Sequence, residues 1–204
     1  MAQSKPAPPL ILACSPRQGG NCAAAAGLFA QALGQAAGLP APPAVTRLSS
    51  FSIAPCLACS ACANPRNSPG LAFGCPQSAG DQSALLLRAL TQAPALCFIA
   101  PIFFYHLPSP LKALLDRTQP FWLRQEAKSF APRTCRAILI AGRSQGKKLF
   151  EGSLLSLSYA LKALNIRLAD PLLLRGLESP GDLLASKTAV QAVLDYGRQA
   201  GLCP

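Results

Sequence analysis

Apolar residues come in short runs separated by amphipathic stretches, an alternation that predicts parallel strands joined by crossover helices. Leu10 to Cys14 reads as the first strand. From Cys22 to Ala37 the chain places Leu28, Phe29, Leu33 and Ala36 on one helical face, and Gly38 ahead of Pro40 predicts the stop. Ala44 to Leu48 is a weaker second strand, Asp81 to Gln92 a helix, and Ala95 to Ala100 a strand apolar enough for the middle of a parallel sheet. Ser109 and Pro110 open the next helix, which runs towards Arg117, because a hydroxyl can cap free amides and proline suits the first helical position. Arg136 to Ile140 is the fourth strand, and Phe150, Leu154, Leu157, Leu161 and Leu164 recur at helical spacing after it. Leu168 to Leu174 is the fifth strand, and a helix from Leu183 to Arg198 completes five βα units without a solenoid-type repeat. Together they predict a three-layer, doubly wound α/β sheet. Between Ser49 and Gly80 no period is sustained and prolines abound, so residues 49–80 read as an inserted loop within a single domain of residues 1–204.

Composition narrows the picture. A chain of 204 residues, half of them hydrophobic and 13% charged, buries one substantial core, and its twenty prolines and fifteen glycines are dispersed rather than gathered in a tail. The formal charge of +11 suits phosphates or an acidic redox partner, or simply a surface kept soluble by repulsion. Lys and Arg do not cluster with exposed aromatics, so no nucleic-acid partner is expected. The apolar run from Leu10 to Cys14, after a polar and proline-rich Met1 to Pro9, is too short for a signal sequence or a membrane span, so a cytoplasmic protein without membrane attachment is expected. Of nine cysteines, Cys14, Cys22, Cys97, Cys135 and Cys203 are scattered and read mostly as small buried apolar residues.

Doubly wound sheets bind ligands at the carboxyl ends of their strands, where strand order reverses, so the loops after strands one, three and four are the places to look. The first, Ser15-Pro16-Arg17-Gln18-Gly19-Gly20-Asn21-Cys22, leads straight into a helix. Glycines turn backbone amides inward, Arg17 adds charge and the helix N-terminus favours an anion, so a phosphate is the expected occupant; a glycine-rich turn that binds nothing is the alternative. The second loop, Pro101-Ile102-Phe103-Phe104-Tyr105-His106, offers aromatic faces suited to a planar heteroaromatic ring, or else an aromatic cluster that closes the core. No acid or base role falls to His106, the single histidine.

Cys14-Ser15-Pro16-Arg17-Gln18-Gly19-Gly20-Asn21-Cys22 resembles the G-S-P-R-x-x-G-N-T phosphate loop of the NADPH-dependent FMN reductase and iron-sulfur flavoprotein family, with Cys14 and Cys22 in place of the leading glycine and the threonine. Ala100 to Tyr105, continuing through Leu111-Lys112-Ala113 to Asp116-Arg117, is similar to that family's flavin loop and L-K-x-x-x-D-R helix. The resemblance implies a flavodoxin-like α/β fold with strand order 2-1-3-4-5. It implies FMN phosphate on Ser15, Arg17, Gln18, Gly20, Asn21 and Cys22, and the flavin ring against Pro101, Ile102, Phe103, Phe104 and Tyr105. The loop Ala141-Gly142-Arg143 would then close the ring edge. NAD(P)H is the implied electron donor, a small molecule or a redox protein the partner, and a homodimer or tetramer the assembly. Phe121 and Trp122 are candidate interface residues, Trp122 equally a core residue beneath the insertion. Asp81 stands where the family often carries an acidic pair, and Gln82 replaces the second acid.

Cys56, Cys59 and Cys62 are spaced two residues apart, with Cys75 after twelve more. Successive short turns can aim three thiolates at one point and a remote fourth can complete the set, so the spacing permits a four-iron four-sulfur cluster. It also permits a structural zinc, or no metal at all. With a cluster the protein would be an iron-sulfur flavoprotein electron carrier, and without one an NAD(P)H-dependent FMN or quinone reductase. A different class stays open: a cofactor-free regulator or scaffold on the same shell, with a zinc-stapled loop.

Overall fold

The computed structural model describes residues 8–64 and 69–201, so Cys203, most of the N-terminal segment and part of the insertion lie outside the described residues. Strand β1 (Leu10–Ala13) is buried along its whole length and pairs in parallel with β2 (Val45–Arg47) on one side and β3 (Leu96–Pro101) on the other. Beyond β3 lies β4 (Arg133–Ile140), then β5 (Ile166–Leu168), giving the order β2-β1-β3-β4-β5. The expected doubly wound order is present.

The expected fifth strand, however, is two. After β5, the chain re-enters the sheet as β6 (Leu172–Leu174), which pairs with the far half of β4. Between them lies Pro171, which has no N–H to give to the ladder. The gap is still tied down, since Ala169 N–H donates to the Cys135 carbonyl and the Tyr196 hydroxyl donates to the Asp170 carbonyl.

Alternating strand residues serve two cores, as the period of two requires. Leu10, Leu12, Phe98, Ala137 and Leu139 face α2 (Ser83–Gln92), α3 (Ser109–Asp116) and α5 (Glu151–Lys162). Ile11, Ala13, Ile99, Ile138 and Ile140 face α1 (Asn21–Ala36) and the C-terminal helices. The buried side of α1 includes the expected Phe29 and Leu33 and extends through Ala25, Ala26 and Ala30, with Leu28 partly buried against the same core. At the C-terminus the single expected helix is divided into α6 (Asp182–Ala185) and α7 (Lys187–Gly201). Ser186 breaks it by acting as an N-cap, its hydroxyl accepting from Ala189 N–H at 3.2 Å.

The described part of the insertion carries only short helical turns, and polar groups tie its two ends to each other. Gln82 exchanges hydrogen bonds with the Ser52 backbone, and Asp81 accepts from Ala54 N–H. Phe73 from the insertion packs edge-on against Phe121, 5.0 Å between centroids. Phe121 belongs to a short helix, α4 (Gln119–Leu123), that the pattern did not predict. It is therefore the buried residue beneath the insertion, whereas Trp122, one position further round the helix, is 56% exposed.

Candidate functional site

The turn after β1 is shaped by two local features. Arg17 N–H donates to the Ser15 hydroxyl, closing a small side-chain turn, and Gly20 adopts φ +102°, a region that an L side chain rarely enters. Gly20 is also the N-cap of α1, and no side chain caps that end. The first amides of a four-turn helix, with their share of the macrodipole, are thus left free for an anion. Cys22 lies in this first turn, where burial pushes its thiol up to about 12 against a smaller opposing pull from Arg17, so it stays neutral.

Asn21 does something the sequence did not suggest. Its amide Nδ2 donates to the carbonyls of Leu177 and Ser179, and its Oδ1 accepts from Leu183 N–H. These three bonds tie the segment after β6 to the mouth of the turn after β1. The loop after the third strand supplies another wall. Phe103 and His106 form an isolated antiparallel bridge, each donating its N–H to the other's carbonyl at 2.9 Å. Phe104 and Tyr105, the two residues between, have φ 49° and 64°. His106 accepts at Nδ1 from Leu107 N–H, which in the neutral ring puts the proton on Nε2, facing the Ser156 hydroxyl at 3.1 Å. The imidazole is a bracket for the turn. Tyr105 in turn meets Arg143 from the loop after β4, whose guanidinium donates to the phenol oxygen.

These loops converge. Ser15, Arg17, Gly20, Asn21 and Cys22 line one cleft of about 400 Å³ together with Pro101, Ile102, Phe103, Phe104, Tyr105, Ala141 and Gly142. The volume lies in the range of ordinary cofactor sites. Gln18 is exposed and does not join the lining. Sequence reasoning missed Leu149 and the trio Leu177, Glu178 and Pro180. The Glu178 carboxylate packs so closely on Gly142 that a β-carbon there would collide with it. The end of the fifth strand falls at Leu174 as expected and was the available signal for that trio, but the loop that follows it was not among the expected ligand loops.

The cysteines of the insertion are not drawn into a ligand set. Cys56 and Cys59 are exposed, Cys62 and Cys75 half-buried, and among the described residues no three His, Cys, Asp or Glu side chains are disposed to hold a metal ion. Left-handed Ala58 and Ser60, φ 49° and 60°, turn the segment between successive cysteines. Burial raises the Cys62 thiol, and the nearby Cys75, Cys56 and Cys59 add to that rise. The scattered cysteines Cys14, Cys22, Cys97 and Cys135 are buried, as expected.

An anion-receptive helix start facing an aromatic turn, at the switch point of a parallel sheet ordered 2-1-3-4-5, defines a flavodoxin-like, flavin-dependent oxidoreductase. The sequence profile of the NADPH-dependent FMN reductase family matches residues 9–170, and the chain belongs to that family. Solved structures of the same fold include an NAD(P)H:quinone oxidoreductase from Methanothermobacter marburgensis, with 18% identity, TM-score 0.65 and coverage of 97% of this chain and 96% of that one. An azoreductase from Bacillus anthracis str. Sterne has 12% identity and TM-score 0.62, over 95% of this chain and 98% of its own. A flavone reductase has 13% identity and TM-score 0.64 over 95% of this chain, which spans 61% of that longer one. Among curated proteins no significant match exists. No described helix is long and apolar enough to cross a membrane.

Proposed function

We propose that the protein holds FMN in this cleft and passes electrons from NAD(P)H to a quinone-type or flavin acceptor. The observation that carries the reading is the shared cleft itself, in which uncapped α1 amides and Arg17 stand at one end and the Phe103–Tyr105 turn at the other. FMN bound there would supply a ring that accepts a hydride and returns electrons. The α1 amides and Arg17 would hold its phosphate, and Pro101, Ile102, Phe103 and the Ala141–Gly142 backbone would hold its ring. Asn21 keeps the wall formed by Leu177 and Glu178 in place. Position and electrostatics are what such a site contributes, and no side-chain acid or base is needed. Exposed Trp122 and Tyr159, which line one groove beside α3, support self-association through that face.

Flavin fluorescence tests the reading. FMN should bind more tightly than riboflavin, which lacks the phosphate. Arg17→Ala should weaken FMN about tenfold, the scale of one charge-assisted hydrogen bond, and leave riboflavin unchanged. Equal affinity of the wild-type protein for the two flavins would overturn it. Because thiols could move to meet a metal, the electron-carrier form is tested by iron and sulfide analysis after anaerobic purification; stoichiometric iron and sulfide would replace the reductase reading with it.

A further inference from the structure

Two aromatic residues occupy the tip of a two-residue hairpin turn in which both central φ values are positive, Phe104 at 49° and Tyr105 at 64°. Turns of that hand are built from Asn, Asp and Gly, because a bulky side chain at positive φ is strained. The strain is maintained by the surroundings. The Phe103–His106 bridge, the Leu107 N–H bond to the imidazole and the His106–Ser156 contact fix the base of the turn. Gly152 of α5 lets it seat closely, since a β-carbon there would lie 3.2 Å from the His106 ring and 3.3 Å from the Tyr105 carbonyl. Tyr105 has a use for its ring, holding Arg143 at 5.8 Å from its centroid and by its hydroxyl. Phe104 has none among the described residues, for it is fully exposed at the rim of the cleft.

A strained backbone that sets an apolar ring fully in water, at the mouth of a binding cleft, works against stability twice over, and such arrangements cluster at ligand sites. Resting on the flavoprotein reading above, we propose that Phe104 is a specificity-determining residue: it offers an aromatic face to a planar, anionic aromatic acceptor entering the cleft. Ring stacking selects the planar shape. Arg143, held over the Tyr105 ring on the same cleft, favours negative charge. In the overall reaction the donor loses a hydride, and a quinone acceptor takes that hydride and one solvent proton to become the hydroquinone.

The test compares naphthoquinone sulfonate with ferricyanide, an anion that offers no ring, in wild-type, Phe104→Asn and Phe104→Trp proteins, with rates taken per bound flavin. Asn suits positive φ, so Phe104→Asn should melt no lower than wild type. Its kcat/KM for the quinone relative to that for ferricyanide should nevertheless fall about tenfold, mainly through KM, and Phe104→Trp should keep the ratio. An unchanged ratio in Phe104→Asn overturns the proposal. So does loss of FMN from that variant, which would make Phe104 part of the flavin seat, or a change in oligomeric state with KM unaltered, which would make it a subunit contact. Wild-type protein that binds no FMN instead defeats the underlying reading.

Discussion

Asp81 accepts hydrogen bonds from Ala54 N–H, Ser83 N–H, the Ser83 hydroxyl and Arg117, in a position almost closed to water. Burial opposes its charge, yet the bonds from Ser83, Ala54 and Arg117 outweigh it and hold the carboxyl below its ordinary 3.8. Arg117 depends on it. Apart from Asp81 the guanidinium has the Ala54 carbonyl, and its Nε and Nη2 have no partner among the described residues. Asp81→Asn should therefore cost about 3–5 kcal/mol, read by urea unfolding at neutral pH, because a buried charge loses its counter-ion. The sign with pH follows from the lowered value: the carboxylate's contribution is complete above 3.8 and is lost as pH falls through the still lower folded value. The stability gap between wild type and variant should thus narrow only below about pH 4, while a gap constant down to about pH 2 would show that charge is not what Asp81 contributes. The acid itself was conspicuous in the sequence. Its partner was not, since the pairing joins residues 36 apart that meet only once α2 and α3 are packed.

Helix packing extends the same lesson to whole elements. Helix α7 lies so close to α1 that a β-carbon on Gly197 would sit 2.8 Å from the Ala32 methyl and 2.9 Å from the Phe29 carbonyl. Gly197→Ala should lower stability by about 1–3 kcal/mol through overpacking. Gly27→Ala, on the open side of α1 where nothing lies within 4 Å, should raise it by about 0.5–1 kcal/mol, and urea unfolding of the pair separates contact from helix propensity. Periodicity of large apolar residues located α1 and its buried Phe29 and Leu33 but missed the small part of that face, because close crossing selects for smallness and Ala25, Ala26 and Ala30 carry little hydrophobic signal. The strands were legible from unbroken apolar runs. In the run from Leu168 to Leu174 the break at Asp170-Pro171 was visible but was outweighed by the leucines on either side, and the stripe from Leu183 concealed the cap at Ser186. The turns after β1 and β3, which line one cleft, were legible as segments because each is a single local stretch. The wall of Leu177 and Glu178 was not, because Asn21 positions it from the other end of the chain.

That bond pattern makes the cleft a property of the whole molecule. Asn21 joins the start of α1 to residues 156 to 162 positions later, and the remaining walls come from β3 and β4. A ligand that grips all of them can bind only when the sheet is fully assembled, so its binding energy adds to global stability by mass action. At a free FMN concentration about a hundred times its dissociation constant, the gain should be about 2.7 kcal/mol. For a chain of this length that is a rise in melting temperature of about 5–11 °C. Riboflavin at the same concentration should give a smaller rise, since the α1 amides and Arg17 would have no phosphate to hold. Added salt should reduce the FMN shift more than the riboflavin shift, because the phosphate interaction is the more strongly screened of the two. Differential scanning fluorimetry across a series of flavin and salt concentrations measures all of this at once. Equal shifts for both flavins at every ionic strength would mean that the helix start is not where the ligand is anchored.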